Sequence, residues 1–215
     1  AQLMESMRAV GYSLATALAD IIDNSISANA TEIRLDYKWN GKDSFISICD
    51  NGIGMNRDDL IIAMTPGSKD PDEERNEKDL GRFGMGLKTA SFSQCKRLTC
   101  ITKREGSPTL KRCWDIDFIN SENEWRLLDY VSDNSFLDKV ENLKSGTLVL
   151  WEKLDRIVGD TTANTKTGDK NYWFNKFDLA TFPQMSNASL FGSSTFVSEN
   201  TWLLWPSSKK YSPYS

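Results

Sequence analysis

Between Thr31 and Cys49 the chain reads as a strand, a turn and a returning strand, and this hairpin limits the fold more than any other stretch. Ile33, Leu35, Tyr37 and Trp39 alternate with polar neighbours, Asn40-Gly41 opens a turn, and Phe45-Ile46-Ser47-Ile48-Cys49 runs back. A side-chain period of two on either side of Asn-Gly is a short-range signal for an antiparallel pair. The stretch before it keeps a different period. From Gly11 to Ala30, the residues Leu14, Leu18, Ile21, Ile22 and Ile26 recur at helical spacing, which predicts a helix of about five turns. A helix with one apolar stripe and a hairpin with one apolar face bury both only by stacking in layers.

Further elements repeat that arrangement. Asn56 with Asp59 forms an N-cap pattern for a short helix through Met64. Residues 97–104, 110–118, 125–131 and 146–152 read as strands, and GRFGMGLKTASFSQC passes from a glycine loop into a helix. Residues 66–79 are almost wholly polar and read as a surface loop. The expected fold is α+β, a two-layer sandwich with helices on one face of a mixed, mainly antiparallel sheet. Residues 1–155 form one domain on this reading. From residue 156 the pattern weakens, and 156–215 is left open as an extension, a linker or the start of a second domain.

Composition removes several chemistries. With no histidine in 215 residues, the chain holds no Ser-His-Asp or Cys-His nucleophile, no His-ligated zinc and no phospho-accepting histidine. A net charge of -4 gives no global reason to expect DNA as a partner. Lys96, Arg97, Lys103, Arg104, Lys111 and Arg112 do form a basic stretch, read first as a wet sheet edge and second as a DNA-facing strand pair. No apolar run approaches the roughly 18 residues of a membrane span, so no membrane partner is expected. Cys49, Cys95, Cys100 and Cys113 lack C-x-x-C spacing and read as free thiols in a reducing, cytoplasmic setting.

Three clusters carry chemistry. Asp20 and Asn24 are four residues apart and stack on one helix face, widened by Asp23 and Ser27. Read alone, this stripe is a solvated face. Asp50-Asn51-Gly52-Ile53-Gly54-Met55 follows an apolar strand, and alone it is a strand-ending turn. Gly81-Arg82-Phe83-Gly84-Met85-Gly86-Leu87-Lys88 enters a helix, where backbone N–H groups and the helix terminus favour an anion. Its spacing is neither that of a P-loop nor that of the dinucleotide fingerprint.

In order, and with Ser145-Gly146-Thr147 before a late strand, these clusters resemble the GHKL ATPase superfamily, the Bergerat fold of gyrase B, heat-shock chaperone, MutL and histidine-kinase ATP-binding domains. ALADIIDNSISANA and GRFGMGLKTAS look most similar to its MutL, MORC and gyrase side. The resemblance implies Mg2+-dependent ATP binding with slow hydrolysis. Asp50 would receive the adenine amine, and Thr147 would complete the base site through a water. Gly52, Gly54 and Met55 would line the pocket, and Asn24 would offer its amide oxygen to Mg2+. Backbone N–H groups across Gly81, Gly84, Met85, Gly86 and Leu87 would hold the phosphates of ATP or ADP, with Lys88 a further cation. Residues 66–81 would be a lid whose closure drives an ATP-dependent homodimer or a partner domain.

Asp20 is the implied catalytic base. It departs from the superfamily's glutamate and is one methylene shorter. A non-hydrolysing nucleotide sensor therefore stands as the alternative. A protein-histidine kinase domain acting in trans is a third reading, disfavoured by the gyrase-like form of the first and third motifs.

Overall fold

The computed structural model describes residues 8–9, 12–38, 40–65, 86–158, 191–198 and 201–206. The first helix, α1 (Leu14–Ser27), is shorter than its apolar pattern because both ends are capped. At the start, the Ser13 hydroxyl accepts the Thr16 N–H at 3.1 Å. At the end, Asn29 takes a left-handed conformation with φ 58° and turns the chain into the hairpin. Strands β1 (Ile33–Lys38) and β2 (Phe45–Asp50) pair antiparallel, with a single 3-10 turn, Gly41–Asp43, between them. Helix α2 (Arg57–Met64) begins with a complete capping box between Asn56 and Asp59.

Helix α3 (Gly86–Phe92) is followed by β3 (Arg97–Lys103) and β4 (Leu110–Asp115), then α4 (Ile116–Glu122), α5 (Asn134–Glu141) and β5 (Gly146–Glu152). The short α6 (Asp155–Val158) precedes β6 (Phe191–Ser198) and β7 (Thr201–Pro206). The sheet order is β4-β3-β5-β2-β1-β7-β6, and every pairing among the described strands is antiparallel. Strand β7 pairs with β1, so part of the C-terminal stretch extends the same sheet.

Three expectations are corrected. The strand expected over 110–118 stops at Asp115, whose carboxylate accepts the Asp117 N–H at 3.1 Å and starts α4. Residues 125–131 make only an isolated bridge, Leu128 to Cys113. Residues 134–141, assigned no element from sequence, are α5, capped by Asp133.

Alternation in β5 shows why α5 matters. Val149 and Trp151 join one apolar cluster with Leu18, Ile22, Ile48 and Leu98 beneath α1. Leu148 and Leu150 point the other way and join Phe136 and Val140 of α5. The α+β sandwich is as expected, but its second sheet face is covered too, by a two-turn helix. The four cysteines are free thiols, with Cys95, Cys100 and Cys113 buried.

Ile48 lies at the centre of the larger cluster with 1% of its surface exposed. Ile48→Ala should therefore lower stability by about 2–5 kcal/mol, read as a lower urea midpoint. A loss under about 0.5 kcal/mol, the scale of a surface substitution, would place the core elsewhere.

Candidate functional site

The strand register builds a polar row into the apolar layer. Asp50 of β2 lies opposite Thr147 of β5, and Thr147 lies opposite Thr102 of β3. The next inward positions along the three strands are Ile48, Val149 and Cys100, all in the cluster beneath α1. The row thus ends the core layer at one edge, where the D-N-G-I-G-M turn leaves β2.

Asp50 is 6% exposed. Its Oδ2 accepts from the Ser25 hydroxyl at 2.8 Å and its Oδ1 from the Gly52 N–H at 2.9 Å. Burial pushes the carboxyl above the usual aspartate range, while the Gly52 N–H, the Ser25 hydroxyl and the Thr147 N–H pull it back. A carboxylate can accept about four hydrogen bonds, so acceptor capacity remains for one donor from outside.

Thr102 closes the row. Its hydroxyl accepts the Met55 N–H at 2.9 Å and lies 3.0 Å from both the Gly146 carbonyl and the Thr147 hydroxyl. Two glycines in the turn are required by packing. A Cβ on Gly52 would meet Ala28 at 2.8 Å, and one on Gly54, at φ +65°, would meet the Lys103 carbonyl oxygen at 2.0 Å. Gly86 differs: among the described residues a Cβ there would meet nothing within 4 Å.

On α1 the sheet-facing side carries Ala17, Leu18, Ile21, Ile22 and Ser25, leaving Asn24 exposed and Asp20 and Asp23 half-buried. Burial, and then the charge of Asp20, push the Asp23 carboxyl up. Burial, the Asp20 charge and a hydrogen bond to it likewise raise the Tyr12 phenol. The Gln94 amide holds the Tyr12 carbonyl at 3.0 Å.

Lys88, expected as a further cation for the phosphates, packs against the end of α2. It is fully buried, and its ammonium donates to the Ala63 and Thr65 carbonyls, both at 2.9 Å. The Trp114 indole N–H takes the Met64 carbonyl at 2.7 Å. Together they satisfy the C-terminal carbonyls of α2 and tie that helix to α3 and β4. Gly81, Gly84, Met85 and the expected lid, 66–81, lie outside the described residues.

Ser25 and Thr102 were not among the residues expected from sequence. Ser25 was legible as a hydroxyl on the apolar stripe, four residues after Ile21. Thr102 was legible only as an inward position of β3.

The basic stretch is matched by acids of the chain. Arg97 pairs with Asp115 at 2.8 Å, Lys111 and Arg112 with Asp129 at 3.1 and 3.4 Å, and Arg104 with Asp59 at 3.7 Å. Lys103 donates to the Glu141 and Leu143 carbonyls, each at 2.7 Å. With β4 ending the sheet, these pairs fit the wet-edge reading.

The profile of the family described as "Histidine kinase-, DNA gyrase B-, and HSP90-like ATPase" matches residues 12–147, and the chain belongs to this family of ATP-binding ATPase domains. ATPase morc-1 of Caenorhabditis elegans is 30% identical over 91 residues, 42% of this chain and 10% of that protein. DNA mismatch repair protein MutL of Thermosipho africanus is 32% identical over 118 residues, 53% of this chain and 20% of its own length. ATPase MORC2B of Mus musculus is 34% identical over 95 residues, 42% of this chain and 9% of its own length. The chain thus spans a small part of these relatives, on the MutL and MORC side that its motifs resemble.

Asp50 generates a pH prediction. Its proton is held more tightly in the fold than in the unfolded chain, so ionising it costs stability. That cost accrues as pH rises from the ordinary aspartate value, about 4, through the raised native value, and then levels off. The stability of the wild type relative to Asp50→Asn should fall across that window in urea titrations. A difference that rises with pH would mean the hydrogen bonds outweigh burial.

Proposed function

We propose that this domain binds ATP with Mg2+ and hydrolyses it slowly. The observation that carries the reading is the buried Asp50 carboxylate with spare acceptor capacity, beside the Thr147 hydroxyl, at the rim of the core. Asp50 accepts the exocyclic amine of adenine, whereas the carbonyl oxygen that guanine presents there would be repelled. Thr147 completes the base site through a water, and Gly52, Gly54 and Met55 line it.

The phosphates meet the start of α3. Gly86 and Leu87 offer backbone N–H groups there, and the open space beside Gly86 favours a close approach. Lys88 serves by fixing α3 against the end of α2.

The fit for Mg2+ rests on the donor set. Among the described residues no group of three Asp, Glu, Cys or His side chains is placed to hold a metal alone. The exposed Asn24 amide oxygen suits an ion that takes its remaining oxygens from phosphate and water. Asn24 would help hold the ion, and Mg2+ bound there would supply positive charge to the phosphates. Asp20, one turn before Asn24, orients the attacking water and accepts its proton.

Coupling of the nucleotide state to lid closure over 66–81, and from there to a homodimer or partner domain, belongs to the same reading by family resemblance. So does a link to DNA through the MutL and MORC relatives, although the basic edge is matched by acids of the chain. Four free cysteines suit a reducing cytoplasm. A non-hydrolysing sensor is the second reading, favoured by Asp20 itself. The shorter side chain loses about 1.5 Å of reach, and misplacement on that scale costs on the order of 100-fold in rate.

Calorimetry with ATP and Mg2+ on wild type and Asp50→Asn, with phosphate release in parallel, is the test. Asp50→Asn should weaken binding by about 10- to 100-fold, and Asp20→Asn should abolish phosphate release while ATP still binds. Undiminished affinity in Asp50→Asn would sink the base-site assignment. Phosphate release that never rises above background would leave the sensor.

A further inference from the structure

Thr102 sits where three groups converge on one hydroxyl. The Met55 N–H lies at 2.9 Å, the Gly146 carbonyl oxygen at 3.0 Å and the Thr147 hydroxyl at 3.0 Å. Thr102 is fully buried. A threonine hydroxyl has one proton and two lone pairs, and the three neighbours differ in what they can give. The Met55 N–H only donates, and the Gly146 carbonyl only accepts. If Thr102 gives its proton to Gly146, both lone pairs are available, one for Met55 and one for Thr147. All three contacts are then satisfied, and Thr147 must be the donor in its pair. In the reverse order Thr102 gives its proton to Thr147, and the buried Gly146 carbonyl loses this donor, an unfavourable trade in a dry interior.

Thr147 is left with its proton turned inward and only lone pairs for the rim. Beside it, Asp50 accepts from Ser25, Gly52 and Thr147 and likewise offers only lone pairs. We propose that Thr102 is a specificity-determining positioning residue, which locks the Thr147 hydroxyl as an acceptor so that the site is short of protons for a carbonyl and selects a base edge bearing an amine and an unprotonated ring nitrogen. The proposal rests on the nucleotide reading above. It adds that the discrimination belongs partly to a residue in the next strand that need not touch the base. A water that gives one proton to Thr147 and one to a ring nitrogen is the bridge such a site would favour.

The test uses adenosine and inosine, which share the same sugar and differ at this edge by an amine and a bare ring nitrogen against a carbonyl and a ring N–H. Binding of each is measured by calorimetry on the whole chain, for wild type, Thr102→Val, Thr102→Ser and Asp50→Asn. Valine keeps the shape and removes the hydroxyl, which frees the Thr147 proton to donate outward. The preference for adenosine over inosine should narrow by about fivefold or more in Thr102→Val, the scale of one buried hydrogen bond, and be kept in Thr102→Ser. Equal weakening of both nucleosides would assign Thr102 a purely structural role and overturn the proposal, as would an unchanged ratio. Should Thr102→Val not fold, Thr102→Cys is read in the same way, since a thiol is a poor substitute on both counts. If Asp50→Asn leaves adenosine binding intact, the nucleotide reading fails and the proposal with it. If Asp50→Asn abolishes binding, the Thr102 ratios test this residue alone.

Discussion

The structure is organised around the burial of one carboxylate. Asp50 ends the central strand β2 and is taken out of water beside an apolar cluster, a cost of several kcal/mol for a charged group with no donors. The fold meets that cost from three directions: α1 through Ser25, its own turn through Gly52, and β5 through the Thr147 N–H. Each donor dictates a position. Ser25 demands that α1 cross the sheet over β2. Gly52 demands a turn that folds back on its own aspartate. Thr147 demands the β2–β5 register, and one residue of slip would turn its side chain to the other face.

The glycines divide by the same physics. Gly52, Gly54 and Gly146 lie where another backbone approaches so closely that a side chain could not be placed, the last with its would-be Cβ 2.1 Å from the Asp50 carbonyl oxygen. They serve the protein's own packing. Gly86, which opens α3, meets no such neighbour among the described residues. A glycine count treats the four alike, and only their surroundings show which of them packing requires.

Charge is used differently on the two sides of the molecule. At Asp50 a single buried carboxyl is held by hydrogen-bond donors. At the β3–β4 edge charge is matched: burial raises the Asp115 carboxyl, but hydrogen bonds and charge from Lys153 and Arg97 bring it below the usual aspartate range. An edge strand so paired keeps neighbouring chains from adding to it. Arg8 makes a further tie, donating to the Phe92 and Cys95 carbonyls and to Asp155, and so joins the N-terminal segment to the end of α3 and to α6.

Much of this was legible before any coordinates. Period two and Asn-Gly marked the β1–β2 hairpin, the capping pair marked α2, and β3 and β5 fell within a residue of their expected bounds, because those signals are local. The ordered motifs likewise marked Asp50 and Thr147, which the β2–β5 register sets opposite each other. What failed was what locality cannot carry. Asp115 caps a helix where the apolar run looked like more strand, and α5 packs on the second face, since its few apolar residues gain from burial only once Leu148 and Leu150 are there to meet them. The contacts of Lys88 with the Ala63 and Thr65 carbonyls likewise depend on the end of α2 being brought against it. Ser25 and Thr102 are ordinary hydroxyls in sequence, and only strand register and helix crossing place them on Asp50 and Thr147. The sequence by itself determined which residue types surround the site and in what order. The tertiary structure decided which protons point at which lone pairs, because hydrogen-bond polarity depends on neighbours that are distant along the chain.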